Sequence, residues 1–169
     1  MAAKTKLTAP DVTLERLRSV LDYDPETGIL RWGSGVNKFV KWKIGSLAGT
    51  DSNGYLSIVI DYRMYMAHRL AWFYVHGVWP DQIDHRDMNR RNNAIANLRL
   101  ATFSQNNANR CVRGDCSSGY KGVRFHKPSK RWQARLAQRH LGLFSSPKEA
   151  HSAYIAAAIE KYGQYANAG

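Results

Sequence analysis

The chain has 169 residues, 44% of them hydrophobic, which suffices for one ordinary domain or two or three small modules and excludes global disorder. Lysine and arginine total 25 against 13 acidic residues, so the formal net charge is +12 at pH 7. Such a surplus requires an anionic partner, and nucleic acid is favoured over a membrane surface because no basic amphipathic helix with a clear apolar face is present.

No segment of the sequence is expected to span a membrane, because the longest apolar run, Leu70–Val75, is far too short. Residues 1–13 lack the hydrophobic core of a secretion signal. Cys111 and Cys116 lie in a polar stretch, where free thiols are expected and a zinc site shared with histidines is the alternative. These features together predict a cytoplasmic protein.

The N-terminal part is predicted to form a small α+β region. Its predicted elements, in chain order, are a helix over 12–21 capped by Asp11 or Thr13, a turn at 24–28, a strand at 29–32, irregular hairpin structure over 33–54, strands at 54–60 and 64–67 joined by a tight connection, and a helix over 68–76. Gly77, with Pro80 beyond it, is the expected stop of that helix. His68, at its start, is assigned either a structural or phosphate-contacting role or a catalytic one.

Residues 82–110 differ from the rest, because they are dense in Asp, His, Asn and Arg and poor in aliphatic residues. Cleavage of a phosphodiester needs a base that activates water and a cation that neutralises the developing charge. His85 titrates near neutrality and can serve as that base. Asp84 and Asn106 offer the oxygen ligands that Mg²⁺ prefers. The asparagines at 89, 92 and 93 are interpreted as turn formers.

The segment carrying Asp84-His85, then Asn93-Ala94-Ile95-Ala96-Asn97-Leu98, then Asn106 resembles the HNH endonuclease family, particularly its phage and intron-encoded branch. The resemblance implies a ββα-metal module, in which two strands, a loop and a helix clasp one divalent ion, Mg²⁺ or Mn²⁺. It implies His85 as general base and Asp84 and Asn106 as metal ligands. It also implies that Asn97 holds the loop and orients the histidine through hydrogen bonds.

The third position of the motif is asparagine rather than histidine, so this is an H-N-N version. An asparagine carbonyl favours a hard, oxygen-bound ion over zinc. The ligand register stays open, because Asn107 and Asn109 lie close to Asn106 and a helix turns neighbouring residues to different directions.

Segments upstream, at 23–28, 45–49, 53–55 and 67–72, resemble phage HNH proteins as a block. In that interpretation the N-terminal sheet and its basic loops contact DNA beside the nuclease. The arginines at 86, 90, 91 and 99 are either solvated charges or phosphate contacts. The phosphate interpretation is favoured for Arg86, Arg90 and Arg91, which flank the proposed site.

The C-terminal part, after a linker at 113–119, is predicted to form three strands and a helix. The strands are placed at Lys121–Phe125, Arg131–Ala137 and His140–Phe144, and the helix runs from Pro147 to Tyr162 with Ser146 as its cap. Alanines on one side of the helix give it a small-residue face for close packing on a sheet.

This C-terminal part resembles the Apetala-two/ERF DNA-binding domain at 119–124, 130–135, 140–144 and 149–154. The resemblance implies a three-stranded antiparallel sheet packed on one helix, with the sheet in the major groove of DNA. The expected DNA contacts are Lys121, Arg124, Arg131, Trp132, Arg135 and Arg139. Strand alternation conflicts with this set, because it places Trp132 on the face opposite to Arg131 and Arg135.

The predicted fold class is α+β: a small N-terminal sheet with helices (1–77), an HNH module (78–112) and an ERF-like domain (117–169). The predicted function is a monomeric, phage-encoded, site-specific endonuclease of the homing type that cuts double-stranded DNA in the bacterial cytoplasm without a small-molecule cofactor. One such site cuts one strand per engagement. The alternatives are a DNA-binding regulator with a relic HNH fold and an RNA-binding protein.

Overall fold

The computed structural model describes residues 12–36, 43–112, 114 and 116–167. The chain divides into two compact units, Met1–Leu100 and Ala101–Gly169, each of which is described by itself. Both contain short antiparallel sheets and helices, so the predicted α+β class is confirmed. Within the described ranges, no helix is long and apolar enough to cross a membrane. The unit boundary falls inside the module predicted at 78–112.

The first unit contains three small antiparallel sheets and two α-helices within the described residues. Its elements are α1 Leu14–Val20, β1 Leu21–Tyr23, β2 Leu30–Trp32, β3 Thr50–Ser52, β4 Tyr55–Ile60, β5 Arg63–Met66, α2 Ala67–His76, β6 Ile83–His85, a 3₁₀ turn Ile95–Asn97, and β7 Leu98–Leu100. Strand β1 pairs with β2, β4 lies between β3 and β5, and β6 pairs with β7. The predicted helices and strands are therefore confirmed, except that the first helix ends at Val20 and an unpredicted strand, β1, begins at Leu21. The stretch taken as irregular contains β3, and its residues 37–42 lie outside the described residues.

The core of this unit forms where the two helices pack against the small sheets. Thr13 caps α1 by accepting a hydrogen bond from the Arg16 N–H at 3.1 Å, and Leu17 turns inward with no exposed surface. Leu70, on α2, is equally buried. Helix α2 ends at Gly77, whose φ of 68° is the left-handed conformation expected at a helix C-terminus.

The β6–β7 pair positions the residues of the predicted motif. Its register places Asp84 opposite Arg99 and His85 opposite Leu98. Ile83 and Leu98 belong to the hydrophobic core, and all three residues of β6 are buried. Because Ile83 packs in the core, the polar residues Asp84 and His85 on the same strand are buried as well.

The second unit begins with α3, Phe103–Ala108, and continues with β8 Val123–His126, β9 Arg131–Leu136, β10 Arg139–Phe144 and α4 Pro147–Tyr162, which a 3₁₀ turn follows at Gly163–Tyr165. The strand order is β10-β9-β8. The predicted three-stranded sheet packed on one helix is confirmed. Ser146 caps α4, accepting from the Glu149 N–H at 3.2 Å, and buried Ala150 and Ala158 allow the helix to approach the sheet closely.

Candidate functional site

His85 is the last residue of β6, and its side chain is held in one orientation. Only 6% of the residue is exposed, and Nε2 lies 3.4 Å from Oδ1 of Asn93, which is 1% exposed. The Asn93 Nδ2 donates to the carbonyl of Arg91 at 3.3 Å, so its Oδ1 is the atom that faces the ring. The His85 Nε2–H therefore donates to Asn93, and Nδ1 carries the lone pair of the neutral ring.

The surroundings of His85 favour its neutral form. Burial is the largest influence and lowers the pKa of His85 below its usual value, while the hydrogen bond to Asn93 and the charges of Asp87 and Asp84 act in the opposite direction. A general base must be unprotonated before it reacts. The site therefore favours the form of His85 that can accept a proton.

Two further rings, those of His68 and Tyr55, lie next to the His85 ring. His68, in the first turn of α2, meets His85 edge to face with ring centroids 5.2 Å apart, and Tyr55 lies within 6.1 Å of His85. Burial, reinforced by the charges of His85 and Arg69, lowers the pKa of His68 to about 3, so this second imidazole is neutral as well. The structure thus places His68 in packing contact with His85, which the sequence left open.

Asn97 braces the loop that follows β6. Its Oδ1 accepts from the Asp87 N–H at 3.0 Å, and its Nδ2 donates to Asp87 Oδ1 at 2.9 Å and to the Asn92 carbonyl at 2.8 Å. These bonds close the loop at its base. The hydrogen bond that orients the His85 ring goes to Oδ1 of Asn93, which the sequence indicated only as a turn former. An asparagine within an asparagine-rich loop offers no sequence signal that separates the two roles.

Asp84 forms a buried ion pair across the β6–β7 ladder. Arg99 Nε and Nη2 lie 2.8 and 2.6 Å from Asp84 Oδ2, and the two side chains are 7% and 5% exposed for arginine and aspartate. Arg99 is therefore not the solvated charge that the sequence allowed. Both of these contacts go to Oδ2 of Asp84.

Replacing Arg99 by methionine is expected to lower the free energy of unfolding by about 3 kcal/mol, because it leaves a buried carboxylate without its cation. Urea unfolding followed by circular dichroism measures this. Arg86→Met serves as the control. Arg86 is exposed and directly follows β6, so its replacement should change the free energy of unfolding little. An Arg99→Met protein as stable as wild type would mean that the pair is solvated in solution.

The donor set suits a hard divalent ion rather than zinc. Across the described ranges, no three His, Cys, Asp or Glu side chains come together to hold an ion. One carboxylate and one amide carbonyl, completed by water and phosphate, form the sparse oxygen set that Mg²⁺ accepts. Asp84 supplies a carboxylate of this kind, and its role as a ligand stays a prediction. Asn106, the other predicted ligand, lies on α3 in the second unit, and its role stays a prediction.

The arginines of the loop already have partners within the first unit. The Arg90 guanidinium lies over the Tyr55 ring at 4.7 Å and donates to the Asn53 carbonyl at 3.3 Å. Arg91 forms an ion pair with Asp51, and Arg86 is exposed. Exposed arginines with such weak partners can exchange them for phosphates. Their predicted DNA contacts remain predictions.

The sheet of the second unit has one face covered by α4 and one open face. Arg124, Arg131, Gln133 and Arg135 alternate away from the buried residues and make up the open face, together with His126. Arg124 Nε donates to Gln133 at 2.7 Å, and a cavity of about 260 Å³ is lined by Gly122, Val123, Arg124 and Arg135. The predicted contacts at Arg124, Arg131 and Arg135 therefore share one accessible surface.

Three residues of the predicted DNA-binding set are placed differently. Trp132 faces α4, where it packs against the cluster formed by Val123, Ala134 and Ala150. Strand alternation decides this position, and the expected contact of Trp132 on the open face does not fit the structure. Arg139 pairs with Glu160 of α4 at 3.5 Å, on the exposed edge of the module.

Lys121 is the third of these residues. Its ammonium group donates to the backbone carbonyls of Ala108 and Arg110, at the end of α3. A lysine whose donors are turned onto carbonyls is not presented to a phosphate. The DNA contact expected of Lys121 therefore does not fit its position either.

Residues 65–108 match the model of a family described as HNH endonuclease. The match begins within β5, includes α2 and the β6–β7 pair with the loop between them, and ends with α3. No curated protein and no solved structure matches the chain. The match supports an HNH nuclease domain in this part of the chain, which suggests a DNA nuclease; nucleases with such a domain generally use a divalent metal ion. The resemblance to HNH endonucleases is confirmed at that level, whereas the roles of Asp84, His85, Asn97 and Asn106 stay predictions.

Proposed function

We propose that this protein is a site-specific endonuclease of the homing type that hydrolyses double-stranded DNA with one divalent ion and His85 as general base. The observation that carries the proposal is the His85 ring, kept neutral by burial and turned by Asn93 so that Nδ1 holds the lone pair, inside a segment that matches the HNH endonuclease model. Magnesium or manganese is the proposed ion, and Asp84 and Asn106 are its proposed ligands.

The chemistry follows from these assignments. His85 Nδ1 takes a proton from a water molecule as that water attacks phosphorus, and the bond from phosphorus to the 3′-oxygen breaks. The products are a 5′-phosphate and a 3′-hydroxyl, after the leaving oxygen takes up a proton from solvent. The ion, when bound, neutralises the charge that develops on the phosphate and the leaving oxygen. Asn97 keeps the loop closed, and Asn93 prevents the imidazole from rotating.

Cleavage of supercoiled plasmid pools and phage genomic DNA, in Mg²⁺, Mn²⁺ or EDTA, tests the proposal. We expect nicked circles first, because one HNH site cuts one strand per engagement, and no cutting in EDTA. Linear products at later times would follow from a second, sequential cut. Cutting that continues in EDTA would overturn the metal-dependent mechanism.

The open face of the C-terminal sheet is proposed as the surface that anchors the protein on duplex DNA, and the ERF-like resemblance supports the same placement. Replacing Arg124, Arg131 and Arg135 together by glutamine should reduce the slope of log affinity against log salt by about 0.9 for each phosphate that the variant no longer neutralises. Fluorescence anisotropy of a labelled duplex at several salt concentrations measures this.

Glutamine at Lys148 and Lys161, both on α4 and therefore across the module from the open face, is the control. That variant should leave the slope nearly unchanged. If the control and the arginine variant reduced the slope equally, the module would attract DNA through its overall positive charge rather than bind it at the open face.

A non-catalytic DNA-binding regulator is the second candidate function, because HNH folds also serve without catalysis. It predicts duplex binding with no cutting in any metal. The buried, oriented His85 favours the nuclease, since a binding protein has no need to hold a neutral imidazole against Asn93. We further propose that the enzyme is monomeric and phage-encoded and that it acts in the bacterial cytoplasm.

A further inference from the structure

Helix α3 is too short to be stable without outside support. It has six residues, and isolated helices of that length are marginal in water. Its N-terminal end is closed by its own capping box, in which Thr102 and Gln105 bond to each other's backbone. Its apolar support is small, because Ala108 is its one buried residue and Phe103 is 68% exposed.

The C-terminal end of α3 is held by two residues from the far side of the linker. Lys121 Nζ donates to the carbonyls of Ala108 and Arg110. Asn167 donates from its backbone N–H to the Ala108 carbonyl at 3.3 Å and from Nδ2 to the Asn109 carbonyl at 2.9 Å. The Ala108 carbonyl belongs to the group that every helix leaves unpaired at its C-terminus, where a positive charge is also favourable, and the Asn109 and Arg110 carbonyls follow the helix directly.

The Lys121 side chain is half-buried, and its ammonium group lies against these carbonyls. This burial lowers the pKa of Lys121. Exposed lysines normally keep the charged end in solvent while the stem covers apolar surface. Here the charge is turned inward, and the two carbonyls offset its lost hydration.

We propose that Lys121 and Asn167 are positioning residues of the nuclease: they fix α3, and through it Asn106. The inference rests on the proposed function, in which Asn106 is a metal ligand. It makes the C-terminal module part of the machinery that builds the metal site, in addition to an anchor on DNA. A module that only tethered the protein would not need a half-buried cation at the end of this helix.

The test compares full-length Lys121→Met with Lys148→Met, which removes an exposed lysine from α4 and so matches the change in charge. Three quantities are measured: amide hydrogen exchange of residues 103–110, the affinity for Mn²⁺ from electron paramagnetic resonance titration, and the affinity for duplex DNA in EDTA. For Lys121→Met we expect exchange to accelerate and Mn²⁺ affinity to fall, each by roughly tenfold. Duplex affinity should equal that of Lys148→Met.

Lys121→Arg, which retains donors for both carbonyls, should recover most of the Mn²⁺ affinity. Asn167→Ala removes one of the side-chain bonds at the same helix end and carries the same test if Lys121→Met does not fold. It should shift exchange and Mn²⁺ affinity in the same direction by a smaller factor.

Two results would overturn the inference. Unchanged exchange with duplex affinity below that of Lys148→Met would make Lys121 a phosphate contact. Faster exchange with unchanged Mn²⁺ affinity would mean that α3 is held by Lys121 but carries no ligand. Wild-type protein that neither binds Mn²⁺ nor cuts DNA would instead overturn the proposed function, and with it the role of Asn106, whatever the exchange data show.

Discussion

The His85→Ala protein is expected to cut DNA slower than wild type by about 10²–10⁴-fold, the range that a positioned general base contributes. The expected loss follows from geometry: within the described residues, His85 is the imidazole whose orientation Asn93 fixes, and its pKa is lowered rather than raised. Single-turnover cleavage of plasmid in Mg²⁺ measures the rate. Duplex affinity in EDTA should remain close to that of wild type, because the side chain is buried.

Two companion variants separate chemistry from folding. His85→Gln keeps an amide that can donate to Asn93 and fills most of the space, yet it provides no base, so it should be as inactive as His85→Ala while unfolding nearer to the wild-type temperature. His76→Ala, at an exposed histidine of the same unit, should cut normally. If His85→Gln retained wild-type cutting, the base would have to be another group and the proposed mechanism would be wrong.

The fold was largely predictable because its signals are local. Alternation and helical spacing depend only on neighbouring residues, and the caps at Thr13 and Ser146 and the stop at Gly77 act within one turn of their helices. The residue pair Asp84-His85 carries enough chemistry to identify the candidate site. The strand β3 was missed because Thr50–Ser52 is a short, largely polar edge strand with no apolar face of its own.

The partners of the site residues were not predictable, because long-range packing selects them. The buried pair of Asp84 with Arg99 exists only once the β6–β7 register is set. Asn93 differs from Asn92 in the sequence by nothing except its position, yet its side chain is the one that faces His85. In the sequence, Lys121 resembles any other basic residue of the C-terminal part. Its contacts with the carbonyls at the end of α3 are visible only in the folded structure.

The Gly28→Ala protein is expected to lose more than about 4 kcal/mol of unfolding free energy, a range that point substitutions reach only exceptionally. Gly28 has a φ of +73°, and a Cβ there would lie 2.1 Å from the Ala94 nitrogen and 2.4 Å from the Asn93 carbonyl carbon. Both atoms are backbone and cannot rotate away. Thermal or urea unfolding measures the loss.

Gly45→Ala is the matched control. Gly45 has a φ of +81°, but nothing lies within 4 Å of the Cβ that alanine would add, so this variant should show the cost of the left-handed conformation alone, about 1–2 kcal/mol. Equal losses in the two variants would mean that the turn at 24–28 does not press against the loop after β6.

Gly28→Ala should also lower the rate of DNA cleavage. The turn that carries Gly28 holds the loop through a bond from the Ile95 N–H to the Pro25 carbonyl at 2.9 Å, and Tyr23 donates to the Asn93 carbonyl at 2.7 Å. A side chain at position 28 would push Asn93 away from His85. We therefore expect Gly28→Ala to cut DNA slower than Gly45→Ala even at temperatures where both remain folded. A folded Gly28→Ala protein with undiminished cutting would show that the turn at 24–28 does not support the His85 site.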